Sequence, residues 1–194
     1  MANRNILGYG FVLLLWAMAL GLGGVTSMAM DNPDAKPVKG FAVPQEQPVT
    51  VELIAEHGSI QPGSSTRVGV HVEIEEGWHI YADPPGDAGL PTTVTLSTVR
   101  SASLGPWQWP DPEHFLDPGD IRTNGYSGAL VVSRTLWLPP YVQGLDAITL
   151  KATAKWLACK ELCVPGKAEL ELALPVSDQA PVPSTHAELF DHTN

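Results

Sequence analysis

The strongest constraint on the fold of this chain is an alternation of apolar and polar residues that recurs along its middle part. Three segments show it without interruption: residues 68–74 (VGVHVEI), 148–156 (ITLKATAKW) and 168–174 (AELELAL). In a β-strand successive side chains point to opposite faces, so a period of two collects the apolar side chains on one face. Each segment is therefore predicted to be a strand with one buried face.

Weaker runs of the same kind cover residues 49–55, 78–82, 92–99 and 129–139, and clusters of glycine, proline and aspartate separate them. No segment between these runs has a convincing helical period. About seven antiparallel strands in about 130 residues predict an all-β fold, an immunoglobulin-like antiparallel β-sandwich. A thioredoxin fold is not expected, because it requires βαβ units and a C-x-x-C motif at the start of a helix.

The beginning of the chain has the composition of an export signal. An uncharged apolar run from Ile6 to Val25 follows the positively charged Arg4, and small residues around Ala29 suit a signal peptidase. A run of this length can also anchor a protein in a bilayer, but its glycines and its small-residue end favour cleavage. In both cases the folded part is expected outside the cytoplasm, where disulfides form and persist.

Both ends of the chain outside the alternating region are rich in proline and polar residues, which is typical of linkers and tails. The sequence leaves open whether part of the C-terminal end packs against the domain. The predicted regions are a signal peptide at 1–29, a flexible linker at 30–47, a β-sandwich at 48–176 and a C-terminal tail at 177–194.

The net charge restricts the possible partners. The formal charge of the chain is −10, and loss of residues 1–29 would remove Arg4 and no acidic residue, which leaves −11. Such an acidic domain has no basic stripe for nucleic acid and is repelled by anionic lipid. We therefore expect proteins or small molecules as partners, with no nucleic acid and no membrane contact after signal cleavage.

The chain contains only two cysteines, Cys159 and Cys163. In a continuous strand their Cα atoms would lie roughly 13 Å apart, whereas a disulfide needs about 4.4 to 6.8 Å. A bonded pair therefore requires a turn between the two residues. The alternation ends near Ala158 and Pro165-Gly166 precedes the next strand, so we expect the cysteines in a connection at the rim of the sandwich.

On the residues alone, three interpretations of this cysteine pair remain open. A structural bond would close a short loop and contribute only about 2 kcal/mol in the chain-entropy view. A metal site would need ligands beyond two thiolates, and His71, His79 and His114 are distant in sequence, although a two-thiolate Cu(I) site is compatible with the pair. A reactive pair would cycle between dithiol and disulfide. We predict no metal and no other cofactor.

Four motifs in this order resemble the periplasmic N-terminal domain of the DsbD family of thiol:disulfide interchange proteins. They are GWHIYADPPGDAGLPTTV (77–94), GPWQWPDPEHF (105–115), GYSGALVV (125–132) and WLACKELCVPGKAELEL (156–172). The resemblance covers most of residues 48–175. It implies an immunoglobulin-like sandwich whose cysteine pair accepts electrons from a membrane-embedded thiol reductase and passes them to oxidised periplasmic thioredoxin-like proteins.

The resemblance also implies roles for individual residues. Cys159 and Cys163 would be the exchanging cysteines, and His79 and Tyr81 would lie near them. In family members a Phe-Tyr pair in a cap loop shields the cysteines. Here Gly125 and Tyr126 correspond to that pair, so the phenylalanine is missing and Tyr126 is the remaining expected shield.

The family domain is usually fused to a membrane electron carrier and a thioredoxin-like domain. After Val25 this chain has no further long apolar segment and no C-x-x-C motif, so the resemblance implies a domain that meets its reductant and its client in trans. The predicted function is periplasmic thiol:disulfide exchange. The alternatives are a non-enzymatic interaction module with a structural disulfide and a copper-handling periplasmic protein. The sequence does not identify the attacking sulfur, nor does it separate cytochrome c maturation from disulfide correction or metal tolerance.

Overall fold

A computed structural model of the chain describes residues 47–117, 119–142 and 144–191. The predicted signal peptide, the predicted linker up to residue 46 and the last three residues of the predicted tail lie outside the described residues. None of the helices in the described part of the chain has the length and apolarity needed to cross a membrane.

The described residues form ten β-strands and one short 3-10 helix. The strands are β1 Val49–Ala55, β2 Ser65–Ile74, β3 His79–Gly86, β4 Thr93–Ser97, β5 Ser103–Leu104, β6 Glu113–Asp117, β7 Ile121–Tyr126, β8 Ala129–Trp137, β9 Ala147–Cys159 and β10 Cys163–Pro175, and the 3-10 helix is Ala187–Asp191.

These strands make two antiparallel sheets that face each other. The four-stranded sheet has the order β1-β2-β8-β5. The six-stranded sheet has the order β10-β9-β3-β7-β6, and β4 pairs with β9 beside this path. The architecture confirms the predicted all-β, immunoglobulin-like antiparallel β-sandwich.

The core lies between the sheets and follows the alternation read from the sequence. Val68 and Val70 of β2 are fully buried, as is Leu150 of β9. In β10 the alternation is present, but Leu170 and Leu172 are only half-buried. The reason is position, because β10 is the outermost strand of its sheet and pairs only with β9.

The hairpin of β6 and β7 was not predicted as strands. Its sequences, EHFLD and IRTNGY, carry charged residues on both faces and have no apolar alternation. It forms at the far edge of the six-stranded sheet, where pairing of Glu113–Asp117 with Ile121–Gly125 satisfies the backbone. This hairpin contributes to the site described below.

The C-terminal residues pack against the four-stranded sheet, a point that the sequence left open. Phe190 is buried with Ile54 and Val131. The Arg67 guanidinium donates hydrogen bonds to the Phe190 carbonyl and the Asp191 carboxylate, both at 2.7 Å. The described residues at the end of the chain are therefore attached to the domain by both apolar and polar contacts.

Candidate thiol–disulfide site

Cys159 and Cys163 form a disulfide at the end of the β9–β10 hairpin. Cys159 is the last residue of β9 and Cys163 the first of β10, and the two are register partners with their Cα atoms 4.1 Å apart. The chain reverses direction over residues 160–162. The bond therefore lies at one end of the six-stranded sheet.

The two cysteines differ in their exposure to solvent. Cys159 is only 3% exposed, because β9 continues between β10 on one side and β3 on the other. Cys163 is exposed, because it begins the edge strand β10. A large protein partner can therefore approach Cys163, whereas Cys159 is enclosed by its own sheet.

His79 is the direct neighbour of Cys159 in the sheet. The two residues are register partners across β3 and β9, and the next pair is Ile80 with Ala158. Partners in an antiparallel ladder project to the same face, and Ile80 and Ala158 point into the core. His79 and Cys159 therefore share the outer face of the six-stranded sheet.

Aromatic rings bury His79 although it lies on that outer face. It is 8% exposed, and its ring stacks on Phe115 with centroids 4.6 Å apart. It also meets the ring of Tyr81 edge to face at 5.1 Å. Burial lowers the pKa of His79, and the negative charge of Asp117 opposes this shift only in part. The imidazole is therefore favoured in its neutral form.

Tyr81 forms the next part of this aromatic wall. Tyr81 is buried. A Cβ added to Gly89 would overlap the Tyr81 ring, so only a glycine allows the loop after β3 to pack this closely on the tyrosine. Gly89 also has a φ of +99°, which favours glycine at this position. Burial raises the pKa of Tyr81, and Asp117 raises it further. The phenol is therefore a neutral surface of the site.

Phe115 belongs to this site and was missed by the sequence reasoning. Its register partner in β7 is Thr123, but its ring reaches across Gly125 to His79. A Cβ on Gly125 would lie 3.4 Å from the Phe115 ring and would overlap the Ile80 carbonyl oxygen. The available signal was an isolated aromatic residue at the end of the motif 105–115, within a short strand that also carries two acidic residues and a histidine.

Tyr126 lies on the opposite face of the sheet from the site. It pairs with Ile80, belongs to the hydrophobic core and stacks on Trp109 with centroids 6.0 Å apart. Its hydroxyl donates to the Pro110 carbonyl at 3.3 Å. Adjacent residues of a strand point to opposite faces, so Gly125 faces the outer surface and Tyr126 does not. The structure brings His79 and Tyr81 to the cysteine side, but not Tyr126.

The other histidines considered as metal ligands are dispersed. His71 lies in β2 of the four-stranded sheet, and His114 makes a 2.8 Å hydrogen bond from Nδ1 to the Asn124 side chain. Lys160, in the turn between the two cysteines, donates a hydrogen bond from its Nζ to the Glu76 carbonyl oxygen at 3.4 Å. Within the described ranges, no group of three or more His, Cys, Asp or Glu side chains is arranged to hold a metal ion.

The family model described as thiol:disulfide interchange protein DsbD, N-terminal, matches residues 45–175. The chain belongs to the DsbD N-terminal domain family. It is thus a thiol:disulfide interchange domain with one cysteine pair, as the four motifs indicated. None of the curated proteins matches the chain.

Solved structures that are similar to this chain include N-terminal domains of ScsB and DsbD. The N-terminal periplasmic domain of ScsB from Proteus mirabilis has a TM-score of 0.50 and 22% identity, over 68% of this chain and 48% of that one. The chain therefore spans about half the length of that structure. The reduced DsbD N-terminal domain from Neisseria meningitidis has a TM-score of 0.37 and 17% identity, over 69% and 90% of the two chains. A complex of the DsbD and PilB N-terminal domains from Neisseria meningitidis has 0.36 and 16%, over 67% and 86%.

Proposed function

We propose that this protein carries electrons in the periplasm, from a membrane-embedded thiol reductase to oxidised thioredoxin-like proteins. The observation that carries the proposal is the disulfide between the exposed Cys163 and the buried Cys159 at one end of the sheet. A bond that closes a loop this short contributes little to folding, whereas two sulfurs held in adjacent strands exchange partners readily. Membership of the DsbD N-terminal family supports the same reaction.

The difference in exposure between the two cysteines supports one order of attack within this proposal. In the reduced protein the thiolate of Cys163 attacks a disulfide of the client, and one client sulfur leaves as a thiolate. Cys159 then attacks Sγ of Cys163, so that the Cys159–Cys163 bond forms and the bond to the client breaks. The client has gained two electrons and the domain has lost them. The membrane-embedded reductase returns the pair to the dithiol by the reverse sequence of steps.

The aromatic residues protect this chemistry from side reactions. His79, Tyr81 and Phe115 cover the outer face of the sheet beside the buried Cys159. Small oxidants therefore meet an apolar surface on this side, while a partner protein reaches the exposed Cys163. In this proposal Tyr126 acts from the core side, where its contact with Trp109 supports the strand that carries Gly125.

The reduction potential of the Cys159–Cys163 pair tests the function directly. The purified chain is equilibrated with thiol buffers of known potential, quenched with acid and alkylated, and the two redox forms are counted by mass. We expect a potential of about −200 mV, in the range of pairs that trade electrons. A potential below about −300 mV would identify a structural bond and would contradict the proposal.

A further inference from the structure

One buried polar atom near the disulfide has no hydrogen-bond partner. It is Nε2 of His79, which no donor or acceptor among the described residues contacts. The residue is 8% exposed, so its side chain is enclosed by protein. An unpaired buried nitrogen costs free energy, and native proteins keep few such atoms without a reason.

The oxidation state of the neighbouring cysteine supplies a reason. Cys159 is the register partner of His79, and in antiparallel ladders the Cβ atoms of such a pair lie roughly 4.5 to 5.5 Å apart. In the disulfide the sulfur of Cys159 carries no proton and offers no donor. Reduction of the bond gives Cys159 an S–H group on the same face as the imidazole. The nitrogen that is unpaired in the disulfide therefore gains a potential donor in the dithiol.

We infer that His79 is the proton acceptor and proton donor for Cys159 in the exchange reaction. This inference rests on the proposed function and adds a residue to it. The role belongs to the resolving step, because Cys159 is the buried sulfur that must lose its proton without direct access to water. Cys163 is exposed and can exchange its proton with solvent.

The resolving step transfers one proton and one electron pair. In the mixed disulfide, Nε2 of His79 takes the proton of the Cys159 thiol, and the resulting thiolate attacks Sγ of Cys163. The Cys159–Cys163 bond forms, the bond from Cys163 to the partner sulfur breaks, and the electron pair leaves with the partner as a thiolate. The imidazolium then returns its proton to that thiolate or to solvent. In the direction of reduction these steps run in reverse: Nε2 of His79 takes a proton from the attacking thiol or from solvent, the partner sulfur bonds to Sγ of Cys163, and the imidazolium protonates Cys159 as it leaves.

The groups around His79 are compatible with this role. Among the titratable groups, Tyr81 of β3 contacts the His79 ring and Cys159 of β9 is its register partner. Glu113 and Asp117 belong to β6, and the charge of Asp117 acts on the imidazole. Lys160 lies in the turn between the two cysteines, where its Nζ contacts the Glu76 carbonyl oxygen. Glu113 accepts hydrogen bonds from Ser127, and Asp117 accepts one from Thr123 at 3.0 Å. Burial lowers the pKa of His79, which favours the neutral imidazole before the reaction. A neutral ring with its hydrogen on Nδ1 has a free acceptor on Nε2.

A two-phase experiment separates the two sulfurs. The reduced full-length chain is mixed with bis(nitrocarboxyphenyl) disulfide, which releases one coloured thiolate at each cleavage. The first phase is attack by Cys163 on the reagent, and the second is attack by Cys159 on the mixed disulfide. Both phases are followed by stopped-flow absorbance as a function of pH, in the wild type and in His79→Phe and His79→Gln. His79→Phe keeps a ring to stack on Phe115.

We expect the second phase at pH 7 to slow about tenfold or more in both variants, because a positioned base contributes about 10²-fold or more to the rate. The rate of the first phase should be unchanged. The wild-type second phase should be nearly constant between pH 7 and 8, where the imidazole is already neutral. In the variants it should rise about tenfold per pH unit, as expected for a thiol that ionises without help. The control is His71→Gln in the opposite sheet, which should leave both phases unchanged.

A second phase in His79→Phe with the wild-type rate and pH profile would overturn the inference. If neither variant folds, as judged by circular dichroism, the wild-type profile decides, because a tenfold rise per pH unit would equally overturn it. The reduction potential and the first phase report on the proposed function. If the reduction potential and the first phase are as expected for the proposed function, and the second phase does not depend on His79, only the inference about His79 is rejected.

Discussion

At the scale of single residues, the proposed order of attack depends on the difference in exposure between the two cysteines. In Cys159→Ser the exposed Cys163 remains, and we expect it to form a stable mixed disulfide with a thioredoxin-like protein, since no second sulfur releases the client. In Cys163→Ser the remaining Cys159 is 3% exposed, and we expect its alkylation by iodoacetamide to be about tenfold slower or more. Mass spectrometry of both variants measures the adducts.

The two variants control for each other, because each removes one sulfur and leaves the same strand pairing. Equal alkylation rates, or a mixed disulfide trapped on Cys159 in preference to Cys163, would reverse the assigned order of attack. The double serine variant should form no adduct and serves as the blank.

At the scale of elements, the pairing of β3 with β7 depends on one glycine. A methyl group at Gly125 would overlap the Ile80 carbonyl oxygen and touch the ring of Phe115, so the strands would have to separate. We expect Gly125→Ala to lower the free energy of unfolding by about 1 to 3 kcal/mol, the usual cost of overpacking. Urea unfolding followed by circular dichroism measures the change.

The matched control is Gly105→Ala, at a glycine whose added Cβ would meet its first neighbour, the Thr135 side chain, at an ordinary 3.6 Å. Its unfolding free energy should change by less than about 1 kcal/mol. Equal stabilities for Gly125→Ala and the wild type would contradict this prediction and would show that β3 and β7 accept a methyl group here without separating.

The elements also show what the sequence could and could not predict. Alternation predicts the strand at 68–74, because the apolar face of this strand is buried between the two sheets. It does not predict the β6–β7 hairpin, whose pairing rests on backbone hydrogen bonds at an exposed edge. Phe115 lies beside His79 because of that hairpin. Since the hairpin was not predicted, the contact between the two residues could not be predicted either. The sequence motifs placed Tyr126 in a shielding role, but strand alternation turns it into the core.

At the scale of the whole molecule, the sandwich supports the site without depending on the disulfide. The core is formed by residues from both sheets, and fully buried positions occur far from the cysteines, such as Val68 in β2 and Leu138 after β8. The bond closes a loop between residues only four apart in sequence. A redox carrier needs this separation, since both of its oxidation states must be folded to recognise partners.

The reduced and the oxidised protein should therefore both be folded, although the reduced protein is the less stable of the two. Reduction of the Cys159–Cys163 bond removes a constraint on a loop of about five residues, and in the chain-entropy view this costs about 2 kcal/mol. We expect urea unfolding with and without a phosphine reductant to give one cooperative transition in each state, with free energies of unfolding that differ by that amount. The double serine variant controls for the reductant, since it should unfold alike in both conditions. Loss of the folded state on reduction would mean that the bond holds the sandwich together, which a protein that cycles between dithiol and disulfide could not tolerate.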